Sequence, residues 1–262
     1  MTEASEKRRP RYSVSQHKQY RQCPHQWYLQ RRVKAWQRPA AWLAHGTAVH
    51  AAAEFWERSG RAASLADAQA EFARVYAATL AADMEVTPNL EYWFQSGPYG
   101  GEADVERRYG IGLEQVAKYI DYYSGKGKNE VIWITPDGTP GIELRFDIEL
   151  DGVSIIGYID QVINGEARDI KTGQPPKDTF QLGVYKVALE EQWGLKSDQG
   201  SYWLAKFARP VRTFDVSDWS RERVADEFGK LHEDITAERF DPVIGDHCQR
   251  CPVSGACSFF AR

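Results

Sequence analysis

"GYIDQVINGEARDIKTG", residues 157–173, decides how this chain is read. Asn164-Gly165 is a strong two-residue hairpin signal, because both central positions of such a turn need a positive φ that these two residues tolerate. A turn of this kind pairs residues whose numbers sum to a constant. Ile163 therefore faces Glu166 and, further along, Asp160 faces Asp169. Directly opposed residues point to one face with Cβ atoms about 5 Å apart. Lys171, two residues past Asp169, shares that face. The Asp151-Gly152 turn extends the register: Leu150 faces Val153, and Glu143 faces Asp160 from the other side unless a bulge intervenes. Carboxylates set opposite one another repel unless something positive lies between them. A divalent cation held by hard oxygen ligands would supply that charge. Such an ion activates water and steadies charge growing on a phosphoryl group, with Lys171 beside it to orient the water or neutralise the transition state. The structural alternative is that these acids form the wet face of a strand, since D-x-K is a short motif.

The bulk of the sequence is that of an ordinary globular protein: 262 residues, 42% hydrophobic and 27% charged. That length suffices for one large domain with a real core. No apolar run approaches the roughly 20 residues of a membrane span, and the N-terminus "MTEASEKRRPRYS" lacks the apolar stretch of a signal peptide, so no membrane partner and a cytoplasmic setting are expected. Net charge is −4, but residues 1–38 carry ten Lys/Arg against two Glu, a local +8 on a body of −12. A basic segment on an acidic body fits local contact with a polyanion, and equally a solvated helix face with a tail.

Helical patterns come first, in "SVSQHKQYRQCPHQWYLQRRV" with a break or restart at Pro24, in "GTAVHAAAEFWERSG", in "SLADAQAEFARVYAATLAADM" and in "GLEQVAKYIDYYSG". Residues 85–102 read as a loop. Then β-rich runs follow, "EVIWI", "GIELRFDIEL", "VSIIGYIDQVI" and "EARDI". A helix "DTFQLGVYKVALEEQWG", strands "QGSYWLAKF" and "VRTFDV", and a last helix over 217–239 complete the chain. The pattern predicts a mixed α/β (α+β) fold with a central mixed β-sheet flanked by helices.

Four ordered pieces resemble the PD-(D/E)XK nuclease superfamily, specifically its RecB-like branch that carries an iron–sulfur cluster and includes the CRISPR-adaptation exonucleases and the AddB nuclease domain. "GTAVH" (46–50) resembles the motif whose histidine, here His50, binds the catalytic metal. "GYID" (157–160) resembles G-x-x-D, implying Asp160 as a metal ligand, and "DIK" (169–171) resembles D/E-x-K, implying Asp169 as ligand and Lys171 as catalytic lysine. "QLGVY" (181–185) resembles Q-x-x-x-Y, in which Gln181 and Tyr185 support the site. Ile159 stands where the nominal "PD" proline would be, a loose position in this branch. The resemblance implies a restriction-endonuclease-like core over 13–262, divided into a helical part (13–125), a catalytic sheet (126–215) and a C-terminal segment (216–262), behind a basic disordered tail at 1–12. It also implies Mg²⁺ or Mn²⁺ held by His50, Asp160, Asp169 and the Ile170 carbonyl. Glu54, one helical turn after His50, and Glu143 are possible supports of that centre.

The four cysteines are Cys23 and a C-terminal trio, Cys248, Cys251 and Cys257, in "CQRCPVSGAC". Four thiolates hold either tetrahedral Zn²⁺ or an iron–sulfur cluster. The resemblance implies a structural [4Fe–4S] cluster that joins the two ends of the chain. Such a staple would set "RRVKAWQR" (31–38), with Arg31, Arg32, Lys34 and Arg38, as a basic wall for a phosphate backbone. Trp93, in the aromatic stretch 90–100, is a stacking platform for an unpaired base or a plug of the core. The expected activity is exonucleolytic hydrolysis of single-stranded DNA or DNA with free ends, in recombination, repair or replication. No G-x-x-x-x-G-K-[ST] loop occurs, so a motor would be supplied by a helicase or recombination partner. The competing readings are a catalytically silent DNA-binding or assembly subunit and a structure-specific endonuclease of the same fold.

Overall fold

The computed structural model describes residues 11–174, 176 and 178–260. Its centre is a seven-stranded mixed sheet. β2 (Ile142–Leu150) and β3 (Val153–Ile163) form a long antiparallel hairpin, with Leu150 opposite Val153 and Leu144 opposite Ile159. β4 (Glu166–Lys171) returns along the other edge of β3, with Ile163 opposite Glu166 and Gln161 opposite Arg168, the register expected of the Asn164-Gly165 turn. That turn has the positive φ values it requires, 52° and 85°. β1 (Arg11–Tyr12) adds parallel to β3, so these two residues of the expected tail are sheet; residues 1–10 lie outside the described residues.

β4 then pairs parallel with β5 (Gln199–Leu204), and a parallel neighbour requires a crossover, supplied by α6 (Phe180–Trp193). β6 (Arg209–Pro210) and β7 (Phe214–Asp215) both pair with β5; of the strand expected over "VRTFDV" (211–216) only the two residues of β7 are strand, and β6 lies just ahead of it. "EVIWI" makes only isolated bridges, Ile132 with Ile163 and Ile134 with Pro140, because Pro136 and Pro140 flank a turn and withhold backbone donors.

One face of the sheet buries Phe146, Ile155, Ile159 and Tyr202 against α6 and α7 (Arg221–Thr236). The other buries Ile170 and Trp203 against a three-helix layer of α3 (Ala41–Arg58), α4 (Leu65–Val86) and α5 (Gly101–Ser124). Fully burying such side chains stabilises the fold by about 1.5–3 kcal/mol each. α3 packs closely because Ala44, Ala48, Ala52 and Trp56 recur every fourth residue and form one buried stripe. α5 begins eleven residues earlier than the sequence suggests. Glu102 and Asp104 favour its N-terminus, and Gly112 is internal because a Cβ there would lie 2.0 Å from the Phe72 ring. α1 (Val14–Gln22) and α2 (Pro24–Arg31) meet at Cys23, which ends one helix and caps the next, with Pro24 at a first-turn position where its missing N–H costs nothing. No helix among the described residues is long and apolar enough to cross a membrane.

Candidate metal centre

The sheet splays where β4 leaves β3 for β5, and the side chains of the hairpin fill the gap. The last pair in the β3–β4 ladder is Gln161 with Arg168. One step on, the carboxylate of Asp160 replaces the backbone as partner: its Oδ2 accepts the Ile170 N–H at 2.7 Å. From the α3 layer His50 reaches the same oxygen, with Nδ1 at 3.4 Å, and lies 3.7 Å from Glu143 Oε1. His50, Glu143 and Asp160 each offer a ligand atom within 4.8 Å of the others, and they are the group of this kind among the described residues. Glu143 gets there with φ at +43°, a strained conformation for a side-chain-bearing residue, while the β2–β3 register continues unchanged on both sides of it. Strain at an acid that faces two other ligand groups is the pattern of a functional position.

Asp169 lies next to this group and is fully enclosed. Lys171 Nζ stands 2.6 Å from its Oδ2, while Oδ1 accepts the Gln181 amide at 2.6 Å and the Tyr185 hydroxyl at 3.4 Å. The Gln181 side chain is oriented from both ends. Its amide also donates to Tyr185, and its carbonyl faces two ammonium groups, Lys171 at 3.3 Å and Lys18 at 3.4 Å. The spacing of four between Gln181 and Tyr185 puts both on the sheet-facing side of α6. Phe146 packs edge-on to Tyr185, and the glycine of "GYID" makes room for that ring: a Cβ on Gly157 would lie 2.6 Å from Phe146 Cζ.

Electrostatics follow from the burial. Loss of water, then repulsion from Asp169, raise the pKa of Asp160 to about 7 despite the pull of His50. Burial is the largest single influence on His50 and works to lower its pKa, but Asp160, Glu143 and Asp169 together outweigh it, and the result is about 9. Burial and Asp169 push Tyr185 well above its usual range, so it stays a donor. A cluster of acids this short of water suits a cation: its charge would lower every one of these carboxylate pKa values.

Other expected site residues fall elsewhere. Ile170 meets Asp160 through its N–H, and its side chain sits in the α3–α5 core. Glu54 turns away from His50 and pairs with Arg58 at 2.7 Å on the same helix, so it is no support of the imidazole. Trp93 is 3% exposed with its indole N–H on the Thr87 carbonyl, a core plug and not a stacking platform. Arg38 is held by the Tyr92 carbonyl and lies over Phe94, whereas Arg31, Arg32 and Lys34 are exposed. Lys18 was missed by sequence reading. Its signal was its place in the basic N-terminal helix, but only the packing of α1 on α6 brings it to Gln181. The four cysteines line one pocket, with Val243, Ile244 and Phe260 around them.

Two phage proteins are similar along nearly the whole chain. The Gene 69 protein of Mycobacterium phage D29 is 46% identical over 264 residues, 96% of this chain and 97% of that protein. The Gene 69 protein of Mycobacterium phage L5 is 42% identical over 283 residues, again 96% and 97%. The crystal structure of SSO0001 is similar at a TM-score of 0.36 and 17% identity, over 60% of this chain and 75% of that one, a likeness too loose to carry an argument. The family model of the PD-(D/E)XK nuclease superfamily matches residues 11–258. That span encloses the carboxylate centre and all four cysteines, and the chain belongs to the PD-(D/E)XK nuclease superfamily.

Proposed function

We propose that the protein is a metal-dependent deoxyribonuclease that trims single-stranded DNA from free ends, with Mg²⁺ or Mn²⁺ at the carboxylate centre and a structural [4Fe–4S] cluster at the four cysteines. The observation that carries the reading is the convergence of His50, Glu143 and Asp160 within 4.8 Å, one residue from the enclosed Asp169–Lys171 pair, in a nuclease-family chain. Those three side chains would hold the cation, with Asp169 beside them. When bound it supplies Lewis acidity and a water more acidic than bulk. The protein's own groups do the rest. Lys171 and Lys18 face a cleft of about 360 Å³, where their charge would meet a phosphoryl group gaining negative charge. Gln181 and Tyr185 keep Lys171 and Asp169 in place. Tyr158, 56% exposed, lines the same cleft and offers a ring to an unpaired base, which supports a single-stranded substrate.

The thiol set fits a cluster better than one zinc ion. Tetrahedral Zn–S bonds of about 2.3 Å bring thiolates to about 3.8 Å from one another. Here no three of the four sulfurs come within 4.8 Å of one another. Burial raises the Cys251 thiol pKa, and the other three thiols raise it further. A group that binds thiolates would have to overcome that.

The test is cleavage of end-labelled single strands with Mg²⁺ or Mn²⁺, with a circular single strand as the control for exonuclease action. Activity should vanish with chelator, and Asp160→Ala or Lys171→Ala should lower it by about 10²–10³-fold or more. Full activity in either variant would sink the reading, and cutting of the circle would convert it to an endonuclease. Iron, sulfide and zinc analysis decides the content of the thiol pocket.

A further inference from the structure

We infer that the cleft between α3, α5 and the residues following β4 is a second nucleic-acid subsite, which grips one nucleotide of a single strand beside the scissile phosphate. The inference rests on the nuclease reading above and names where its substrate is held.

The cleft has a volume of about 560 Å³ and begins at Thr172, the residue after Lys171. Trp42 lines it from α3, two helical turns before His50, which is about 12 Å along the helix axis. Gly46 marks the turn between them, and a Cβ there would touch Thr172 at 3.5 Å. One face of one helix therefore runs from this cleft to the metal centre.

Among the described residues, every charged side chain lining the cleft is cationic: Arg107, Arg108, Lys206 and Arg250. The two α5 arginines are held ready by an acid beneath them. Asp104, 1% exposed, places Oδ1 3.5 Å from both Arg107 Nη1 and Arg108 Nε. Arg108 also donates to Ser96 Oγ at 2.9 Å, and Ser96 donates to Asp104 at 2.8 Å. One buried acid against two guanidiniums leaves a surplus of positive charge, which suits a phosphodiester. Gln115 adds a polar wall. It is 6% exposed, its amide reaches the Thr172 carbonyl at 3.5 Å, and its other end faces the ring of the buried His45. With Trp42 offering a ring, the site reads as one for a nucleotide within a strand and not for an inorganic anion.

Arg250 lies between Cys248 and Cys251, so the thiol pocket places one of the four cations. The cysteine segment thereby reaches the substrate path as well as joining the chain ends.

The test uses Lys206→Ala with Arg250→Ala, both at exposed positions, and Lys206→Glu alone, which leaves the cysteine segment untouched. Three quantities are read: hydrolysis of bis(p-nitrophenyl) phosphate, which reaches only the catalytic centre; KM for a single-stranded oligonucleotide; and the salt dependence of its binding by fluorescence anisotropy. We expect unchanged hydrolysis of the small diester, a several-fold rise in KM, and a fall of about 1 in the slope of log K against log salt. Unchanged KM and slope in both variants, with the wild type cleaving normally, overturn the subsite and leave the nuclease reading intact. A wild type that neither binds nor cuts single strands overturns both.

Discussion

The carboxylate centre and the thiol pocket are built by opposite means. The first stands on β2, β3 and β4, where ladder pairing on both sides fixes each Cα before any ligand arrives, and its acids are already met by the Ile170 N–H, Lys171, Gln181 and His50. The second stands on a helix junction at Cys23 and on short 3-10 turns over Asp246–Arg250 and Ser254–Ala256, where its sulfurs share a pocket without closing on a point. A sheet can hold like charges together at a cost in stability. A pair of chain ends cannot hold anything together until something binds. One site is therefore expected to weaken the fold when empty, and the other to depend on being filled.

The largest test of that contrast is removal of a ligand from the sheet. Glu143→Gln should lower Mn²⁺ affinity by at least about 10–100-fold, yet leave the melting temperature of the metal-free protein unchanged or higher, as calorimetry would show. A drop in that temperature would erase the contrast. Next comes pH. Asp160 has its pKa raised from 3.8 to about 7, so its contribution to metal-free stability is full below 3.8 and lost as the pH rises through about 7. His50, raised from 6.5 to about 9, contributes fully below 6.5 and loses its share as the pH rises through about 9. Chelator-treated protein should therefore melt at falling temperatures from about pH 4 to 9. The gain on adding Mn²⁺ should widen over the same range, since affinity rises about tenfold per pH unit for each proton displaced.

Cys23→Ser probes the other site. With the proposed cluster in the thiol pocket, it should release iron and lower the melting temperature by several degrees, at about 2–4 °C per kcal/mol for a chain of this size. Hydrolysis of a small diester should continue. A variant that melts like the wild type would show that the ends need no staple. The smallest effect belongs to Glu54→Ala, within about 0.5 kcal/mol and with cleavage unchanged, because an exposed i,i+4 pair with Arg58 is all it loses.

Legibility in the sequence divides along the same line. Asn164-Gly165 and Asp151-Gly152 were sufficient to set the β2–β3–β4 register, and with it the meeting of Glu143 and Asp160. Period and turn chemistry are local, so they survive without coordinates. Glu54 and Trp93 stayed open between two readings for the converse reason. Helical spacing says which residues share a face, but not whether that face meets a site, solvent or core. Lys18, Trp42 and the α5 arginines escaped notice because their roles depend on how whole helices pack. The early start of α5 was hidden by its glycines, of which Gly112 makes room for Phe72.

Gly157 is fixed in the motif by a neighbour, not by backbone freedom. The Phe146 ring lies where its side chain would be and leans on Tyr185. Selection from a library randomised at position 157 should thus return glycine alone, and tolerate alanine only when position 146 is allowed to shrink in the same clone. The two positions, cross-strand partners in the β2–β3 hairpin, would evolve as one.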